Sequence, residues 1–182
     1  MGAILGELNV RVCDADGLAH AAMQEGTTCY AKVVDAFGRE IVDPDGAISR
    51  QRLGARVFGD DMALALLNAL VHPYVNAAWR AWLTEVAESV SAAAILVPLL
   101  FEAGYQAGWD GIWCVTCNPD VQWRRLMERG LDPGAARRRI DVQWPLARKV
   151  ALSDCVLVNN ASLDLLKEQV RIALRYVMEK QT

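Results

Sequence analysis

The stretch VRVCDADGLAH, residues 10–20, decides the fold, because an apolar strand pattern passes through two acids into a helix pattern. The pattern predicts a strand over residues 9–13 and a helix that begins at Asp16, since aspartate is a good helix cap. In parallel α/β sheets the chemistry lies beyond the carboxyl ends of the strands. Asp14 and Asp16 are therefore candidate active-site acids, and the alternative is that one of them only caps the helix.

Strand and helix patterns alternate over the rest of the chain, as they do in α/β proteins. Apolar runs at residues 92–98 and 112–117 are typical of parallel strands covered on both faces, and residues 156–158 form a last strand pattern. We therefore predict one α/β domain over residues 1–182, with a parallel sheet flanked by helices. The predicted helices cover residues 1–8, 27–37, 49–58, 60–71, 73–90, 119–129, the segment LDPGAARRRIDVQ with Asp132 as its cap, and residues 162–178.

The charge balance is slightly acidic, with 19 Lys and Arg against 22 Asp and Glu. This balance disfavours a protein that coats nucleic acid or an anionic membrane by charge alone. No run reaches the roughly 20 apolar residues of a membrane helix, and the start MGAILGELNVR lacks the features of a signal peptide. We therefore expect a cytoplasmic protein without a nucleic-acid or membrane partner.

The CVTC stretch raises the alternative of half a zinc site or a redox centre. It lies in a strand pattern, where residues three apart point to opposite faces, and the sequence has no second CxxC. We therefore interpret Cys114 and Cys117 as strand residues.

Seven motifs follow one another along the chain: DADGLAH, FGREIVDPDGAISRQRLGARVF, LNALVHPYV, VPLLFEAG, NPDVQWRRLMERG, RRRIDVQWPLARK and SDCVLVNN. Together they resemble the dephospho-coenzyme A kinase family, from Met1 to about Val170. The resemblance implies a three-layer fold like that of P-loop kinases, with a helical substrate-binding region at about residues 27–90 and a lid at about residues 129–150. It also implies phosphorylation of the ribose 3′-hydroxyl of dephospho-coenzyme A by ATP with Mg²⁺, the last step of coenzyme A synthesis. The oligomeric state stays open.

The chain departs from the family at its start. The family opens with a strand and a phosphate-binding loop of the form GxxxxGK[S/T], and residues 1–182 contain no such loop. Met1 falls where the family's chain has just left that loop, so the first central strand is also missing. We expect a truncated chain with little or no activity. The alternatives are a non-catalytic relative that binds coenzyme A without a Walker A loop, and a related small-metabolite kinase.

The resemblance assigns the central chemistry to a few residues. The second acid of the DxD element, here Asp16, is the base for the ribose hydroxyl and a magnesium ligand, and Asp14 lies on the substrate side. The RIxxQ element gives Arg139 a catalytic role and Gln143 a substrate contact. Arg125 and Arg129, four apart on one helix, are candidates for the phosphates of ATP. For Arg124, Arg137 and Arg138, the alternative is a solvated face.

The remaining site residues follow strands or begin helices. His72 matches the HP of the family on the acceptor side, although a lone histidine is more often structural. Asn159 and Asn160 match the adenine side of ATP, and the alternative is that they only form the turn. The substrate contacts expected in the PLLFE segment are Pro98, Leu99 and Glu102.

Overall fold

The computed structural model describes residues 1–57 and 59–180, in which short parallel strands alternate with helices. Phe58, the last residue of one predicted helix, lies outside the described residues. The elements are, in chain order, α1 (Gly2–Glu7), β1 (Arg11–Asp14), α2 (Ala15–Ala22), α3 (Thr28–Phe37), α4 (Arg50–Val57), α5 (Asp61–Val86), β2 (Ala93–Leu96), β3 (Trp113–Thr116), α6 (Pro119–Glu128), α7 (Pro133–Asp141), α8 (Leu146–Ala151), β4 (Cys155–Val158) and α9 (Leu163–Lys180).

These elements fall into two compact units. The N-terminal unit consists of Gly2 and Asn9–Pro98, and the C-terminal unit consists of Met1, Ala3–Leu8 and the chain from Leu99 onward. Parallel strands flanked by helices confirm the predicted α/β class. That residues 1–182 form a single functional domain stays a prediction. Within the described residues, no helix is both long enough and apolar enough to cross a membrane.

In the N-terminal unit, β1 pairs in parallel with β2, from Arg11 opposite Ala93 to Asp14 opposite Leu96. The long helix α5 contacts α2, α3, α4 and both strands, so it forms the centre of the unit. Its buried residues Val71, Val75 and Trp79 recur at a spacing of four, which places them on one face. That face meets a core to which α3 and the following turn contribute Cys29, Val33 and Ile41, each fully buried.

Helix α5 corrects the prediction of two helices separated at Pro73, because one helix runs from Asp61 to Val86. Proline lacks the amide hydrogen that would continue the helix, and its ring crowds the preceding turn. The buried stripe nevertheless continues on both sides of Pro73, from Val71 to Val75. Packing of that stripe into the core therefore holds the two halves in one helix.

In the C-terminal unit, β3 pairs in parallel with β4, from Trp113 opposite Cys155 to Thr116 opposite Val158. Helix α9 packs on β4, and its side chain Gln169 bonds both the N–H and the C=O of Val158, at 2.8 and 2.9 Å. Helix α8, which contacts β3, was not predicted from the sequence.

The strands are less covered than the sequence predicts. In β4 only Leu157 is buried, whereas its neighbours Val156 and Val158 are exposed. In β2 Ala93 is exposed and the next three residues are half-buried. Since successive side chains point to opposite faces, one face of β4 is left uncovered within the described residues. The prediction of strands covered on both faces is therefore wrong for β2, and in β3, for which it was also made, Val115 is 43% exposed.

Asp60 caps α5, because its Oδ1 accepts hydrogen bonds from the N–H groups of Met62 and Ala63, both at 3.0 Å. We expect Asp60→Ala to lower the free energy of unfolding by about 1 kcal/mol, since two helix-end donors lose their partner. Chemical denaturation measures the change. Asp60→Asn keeps an acceptor at the same position and is the matched control. A loss as large in Asp60→Asn would contradict the capping explanation.

Candidate functional site

The two acids of the opening motif have different positions. Asp14 is the last residue of β1, and its Oδ1 accepts the N–H of Asp16 at 3.0 Å. Asp14 is therefore the N-cap of α2, and the prediction that Asp16 caps this helix is wrong. A capping carboxylate accepts from an amide in the first turn, and Asp16 supplies that amide rather than the carboxylate. The carboxylate of Asp16 therefore takes no part in capping α2.

Asp16 lines a cavity of about 440 Å³ in the N-terminal unit. Cavities that bind small molecules commonly measure about 300–1,000 Å³, so this one has the size of a metabolite site. Helix α2 also contributes His20, one turn after Asp16, which places both side chains on the same face. The opposite wall is formed by the turn at residues 43–49 and by the start of α4.

The turn opposite α2 is held by its own hydrogen bonds. The N–H of Asp43 donates to the C=O of Ala47 at 2.8 Å, and the hydroxyl of Tyr30 donates to the C=O of Gly46 at 2.7 Å. Gly46 has φ +88°, and a Cβ there would lie 2.6 Å from the carboxylate of Glu25. Only glycine fits this position without displacing Glu25. The DPDG sequence therefore builds a fixed wall for the cavity.

None of the six predicted substrate-side residues lines this cavity, and two of them, Glu102 and Gln143, belong to the C-terminal unit. His72 lies on α5 and is half-buried, and burial lowers its pKa from the ordinary value because the charged imidazolium loses its water. Pro98 and Leu99 are exposed in the turn that follows β2. Asp14 is absent from the lining because its carboxylate caps α2.

In the C-terminal unit, predicted nucleotide-side residues come together at the carboxyl ends of β3 and β4. Arg125 donates to the C=O of Asn159 at 2.8 Å and to its Oδ1 at 3.4 Å. Asn160 bonds Asn118 twice, since its Oδ1 accepts the N–H of Asn118 at 2.6 Å and its Nδ2 donates to the side chain of Asn118 at 2.9 Å. The asparagines therefore tie the two strand ends together.

Glu102 is the centre of a second cluster in the C-terminal unit. Its Oε1 accepts the N–H of Trp144 at 2.7 Å and lies 3.6 Å from Nζ of Lys149. The side chains of Glu102 and Lys149 are only 12% and 13% exposed. Lys149 also donates to Oε1 of Gln143 at 2.6 Å. The second oxygen of Glu102 is buried without a hydrogen-bond partner among the described residues, so the carboxylate depends on Lys149 and Trp144.

The ring of Trp144 has neighbours within the same unit. Phe101 stacks on it with ring centroids 6.4 Å apart, and the guanidinium of Arg148 lies 3.4 Å from the ring centroid. A cation at this distance is attracted by the electron-rich face of the indole. Trp144 is therefore part of the packing around Glu102.

Two predicted phosphate-side arginines are exposed. Arg129 is the C-cap of α6, and Arg139 lies in the last turn of α7. The C=O of Arg139 accepts a hydrogen bond from Gln143 at 3.4 Å, which joins the RIxxQ element to the Glu102 cluster through Lys149.

Several residues of these clusters were not predicted from the sequence: His20, Arg50, Asn118 and Lys149. The spacing of four between Asp16 and His20 was a usable signal, because such residues share a helix face. No sequence signal pairs Lys149 with Glu102, which lies 47 positions earlier in the chain.

Comparison with known proteins gives a family match over most of the chain. The family model for dephospho-CoA kinase matches residues 1–164. A dephospho-CoA kinase of Geobacillus kaustophilus is 38% identical over 177 residues, which cover 96% of this chain and 88% of the relative. A dephospho-CoA kinase of Carboxydothermus hydrogenoformans is 38% identical over 174 residues, which cover 94% of this chain and 84% of the relative.

Solved structures agree with the fold. A crystal structure of a Thermus thermophilus protein superposes with a TM-score of 0.79 at 28% identity and covers 96% of this chain and 88% of its own. A dephospho-CoA kinase from Campylobacter jejuni superposes with a TM-score of 0.68 at 21% identity and covers 99% and 90% of the two chains. This second likeness concerns the fold alone.

The Glu102 cluster predicts a large effect of one substitution. We expect Lys149→Met to lower the free energy of unfolding by about 3 kcal/mol, because it leaves a buried carboxylate without its cation. Glu102→Gln combined with Lys149→Met should restore most of the loss, since no buried charge is then left unpaired. Chemical denaturation measures both.

Lys167→Met is the matched control, because it removes an exposed ion pair in which Nζ lies 2.9 Å from the carboxylate of Glu7. Exposed pairs contribute about 1 kcal/mol or less. Equal losses in Lys149→Met and Lys167→Met would contradict the role given to the buried pair.

Proposed function

Because the chain belongs to the dephospho-CoA kinase family, we propose that it transfers a phosphoryl group from ATP to the ribose 3′-hydroxyl of dephospho-CoA, the last step of coenzyme A synthesis. The observation that carries the proposal is Asp16, which follows the carboxyl end of β1 and lines a cavity large enough for part of a metabolite. The five free cysteines suit a reducing compartment, so we place the activity in the cytoplasm.

Asp16 acts as the general base in this proposal. The 3′-hydroxyl of the acceptor enters the cavity and gives its proton to the Asp16 carboxylate as its oxygen bonds the γ-phosphorus of ATP. The bond between that phosphorus and the oxygen of the β-phosphate breaks, so ADP leaves. The bond between Asp14 and the N–H of Asp16 supports this role, because it fixes the backbone that carries the base.

Mg²⁺ fits this site through one carboxylate. No cluster of three or more His, Cys, Asp or Glu in the described part of the chain is arranged to hold a metal ion. Mg²⁺ is commonly held by one or two carboxylates together with substrate phosphates, and Asp16 would supply such a carboxylate. When bound, the ion offsets negative charge on the phosphates.

We assign the remaining residues to the two substrates. Arg125, Arg129 and Arg139 bind phosphates of ATP through their planar donors, with Arg139 in a catalytic role. Asn159 and Asn160 bind the adenine of ATP, which their position after β4 supports. In the N-terminal unit we assign the helical region at about residues 27–90 and Asp14, His72 and Pro98 to the acceptor. In the C-terminal unit we assign Leu99, Glu102 and Gln143 as substrate contacts and the segment at about residues 129–150 as a lid over ATP.

The missing phosphate loop limits the activity expected of residues 1–182 alone. A GxxxxGK[S/T] loop supplies backbone N–H groups and a lysine to the phosphates, and this sequence contains none. We therefore propose that these 182 residues, tested alone, have little or no kinase activity. The alternative function, coenzyme A binding without catalysis, is favoured by the same observation.

An assay of ADP release with dephospho-CoA tests the activity. We expect negligible turnover by residues 1–182 and measurable turnover by an extended form whose added N-terminal residues include a GxxxxGK[S/T] loop, because the loop holds the phosphates in place. Binding of dephospho-CoA without turnover by either form would favour the non-catalytic alternative. Equal activity of both forms would contradict the importance given to the loop.

Substitution of Asp16 tests the base. In the form that turns over, we expect Asp16→Asn to lower kcat by about 10² to 10⁴, the usual contribution of a positioned general base. The melting temperature should change little, because Asp14 and not Asp16 caps α2. Asp110→Asn, an exposed site outside the cavity and outside the helical region at about residues 27–90, is the control with the same change of charge. An unchanged kcat in Asp16→Asn would remove Asp16 from the mechanism.

A further inference from the structure

The cavity at Asp16 is lined by more acids than bases. Asp16, Glu25 and Asp45 contribute three carboxylates, whereas Arg50 contributes one guanidinium and His20 one imidazole. The formal charge of the lining is therefore negative even when the imidazole is counted as a cation. Without a divalent cation to offset its charge, a phosphate in such a cavity is repelled by the carboxylates, whereas an uncharged group is not.

Two of these acids, Glu25 and Asp45, lie at the turn that forms the wall. The carboxylate of Glu25 lies against Gly46, where the smallest residue makes room for it. Oδ1 of Asp45 accepts the N–H of Ala47 at 3.0 Å. Tyr30 fixes the same turn through its bond to the C=O of Gly46. The side chains of Glu25 and Asp45 are exposed, and their carboxylates lie at the wall of the cavity.

The cavity also offers apolar contact beside the acids. Met23, Ile48 and Leu53 line it, and Leu53 is only 6% exposed. A flat apolar base and a hydroxylated sugar match a lining that combines apolar side chains with acceptor oxygens. The nucleoside end of dephospho-CoA has this chemistry, with its phosphates at the other end of the ribose.

We propose that this cavity binds the nucleoside end of dephospho-CoA and selects against the product through the carboxylates of Glu25 and Asp45. The inference rests on the proposed function. The substrate brings a neutral 3′-hydroxyl to the cavity, whereas the product carries at the same oxygen a phosphate with a charge of about −1.5 to −2 near neutral pH. Repulsion by the wall lowers the affinity for coenzyme A relative to dephospho-CoA. Glu25 and Asp45 are thus specificity-determining residues that favour release of the product.

Calorimetric titration of residues 1–182 with dephospho-CoA and with coenzyme A measures the discrimination without any need for turnover. The titrations use a pH of about 8, EDTA and low salt, so that no divalent cation bridges the acids and the phosphate and little salt screens their repulsion. We expect dephospho-CoA to bind about tenfold more tightly. Glu25→Gln and Asp45→Asn should each reduce the ratio of the two Kd values about threefold.

The two amide variants keep the shape of the wall, and the side chain introduced by Asp45→Asn retains an oxygen for the N–H of Ala47. Asp110→Asn removes one charge outside the cavity and outside the helical region at about residues 27–90, and it should leave the ratio unchanged. Added salt should reduce the ratio in the unsubstituted chain, because screening weakens repulsion between charges but does not change a steric fit.

Equal affinities for both ligands would overturn the inference. A ratio of the two Kd values that Glu25→Gln, Asp45→Asn and added salt leave unchanged would also overturn it. If the extended form still phosphorylates dephospho-CoA, the proposed function survives that result. Failure of both ligands to bind, together with no turnover by the extended form, would overturn the inference and the proposed function together.

Discussion

The hydrogen bond from the N–H of Asp16 to the carboxylate of Asp14 is the contact on which the candidate site depends. It ends β1 and begins α2 within two residues, so the chain turns at the carboxyl end of the strand. The two acids have different roles because of this turn. The side chain of Asp14 bonds an amide of the first helical turn, whereas the side chain of Asp16 takes no part in that bond and lines the cavity. Loss of the cap would move the backbone that carries Asp16.

The wall opposite α2 depends on a different kind of constraint. There the backbone takes a positive φ at Gly46, and the space that a side chain would fill is occupied by the carboxylate of Glu25. A helix cap on one side and a glycine turn on the other thus define the cavity. The DADGLAH and DPDG motifs, which lie well apart in the sequence, are two walls of one site.

The sequence predicts most elements of this chain, because caps and periodicity are local signals. Thr27, Asp60 and Asp132 all cap the helices that the patterns indicate. The break predicted at Pro73 is wrong because packing of a buried stripe overrides the local preference of proline.

Predictions that depend on distant neighbours were weaker. The pair of Glu102 and Lys149 joins segments that no periodicity relates, and the exposure of Val156 and Val158 depends on which elements cover β4. In the opening motif, both acids were found as candidates, but only the structure distinguishes the cap from the residue that lines the cavity. The residues of a site are thus easier to predict than the division of tasks among them.

The side-chain amide of Gln169 affects whether copies of this protein can associate through the edge of β4. Strand edges with unused N–H and C=O groups are templates on which another chain can add a strand and begin to aggregate. At Val158 both groups are already bonded to Gln169, on the side of β4 away from β3. Gln169 of α9 therefore occupies the N–H and C=O groups that an added strand would use. At Val158 the edge of β4 is not free to pair with a second molecule.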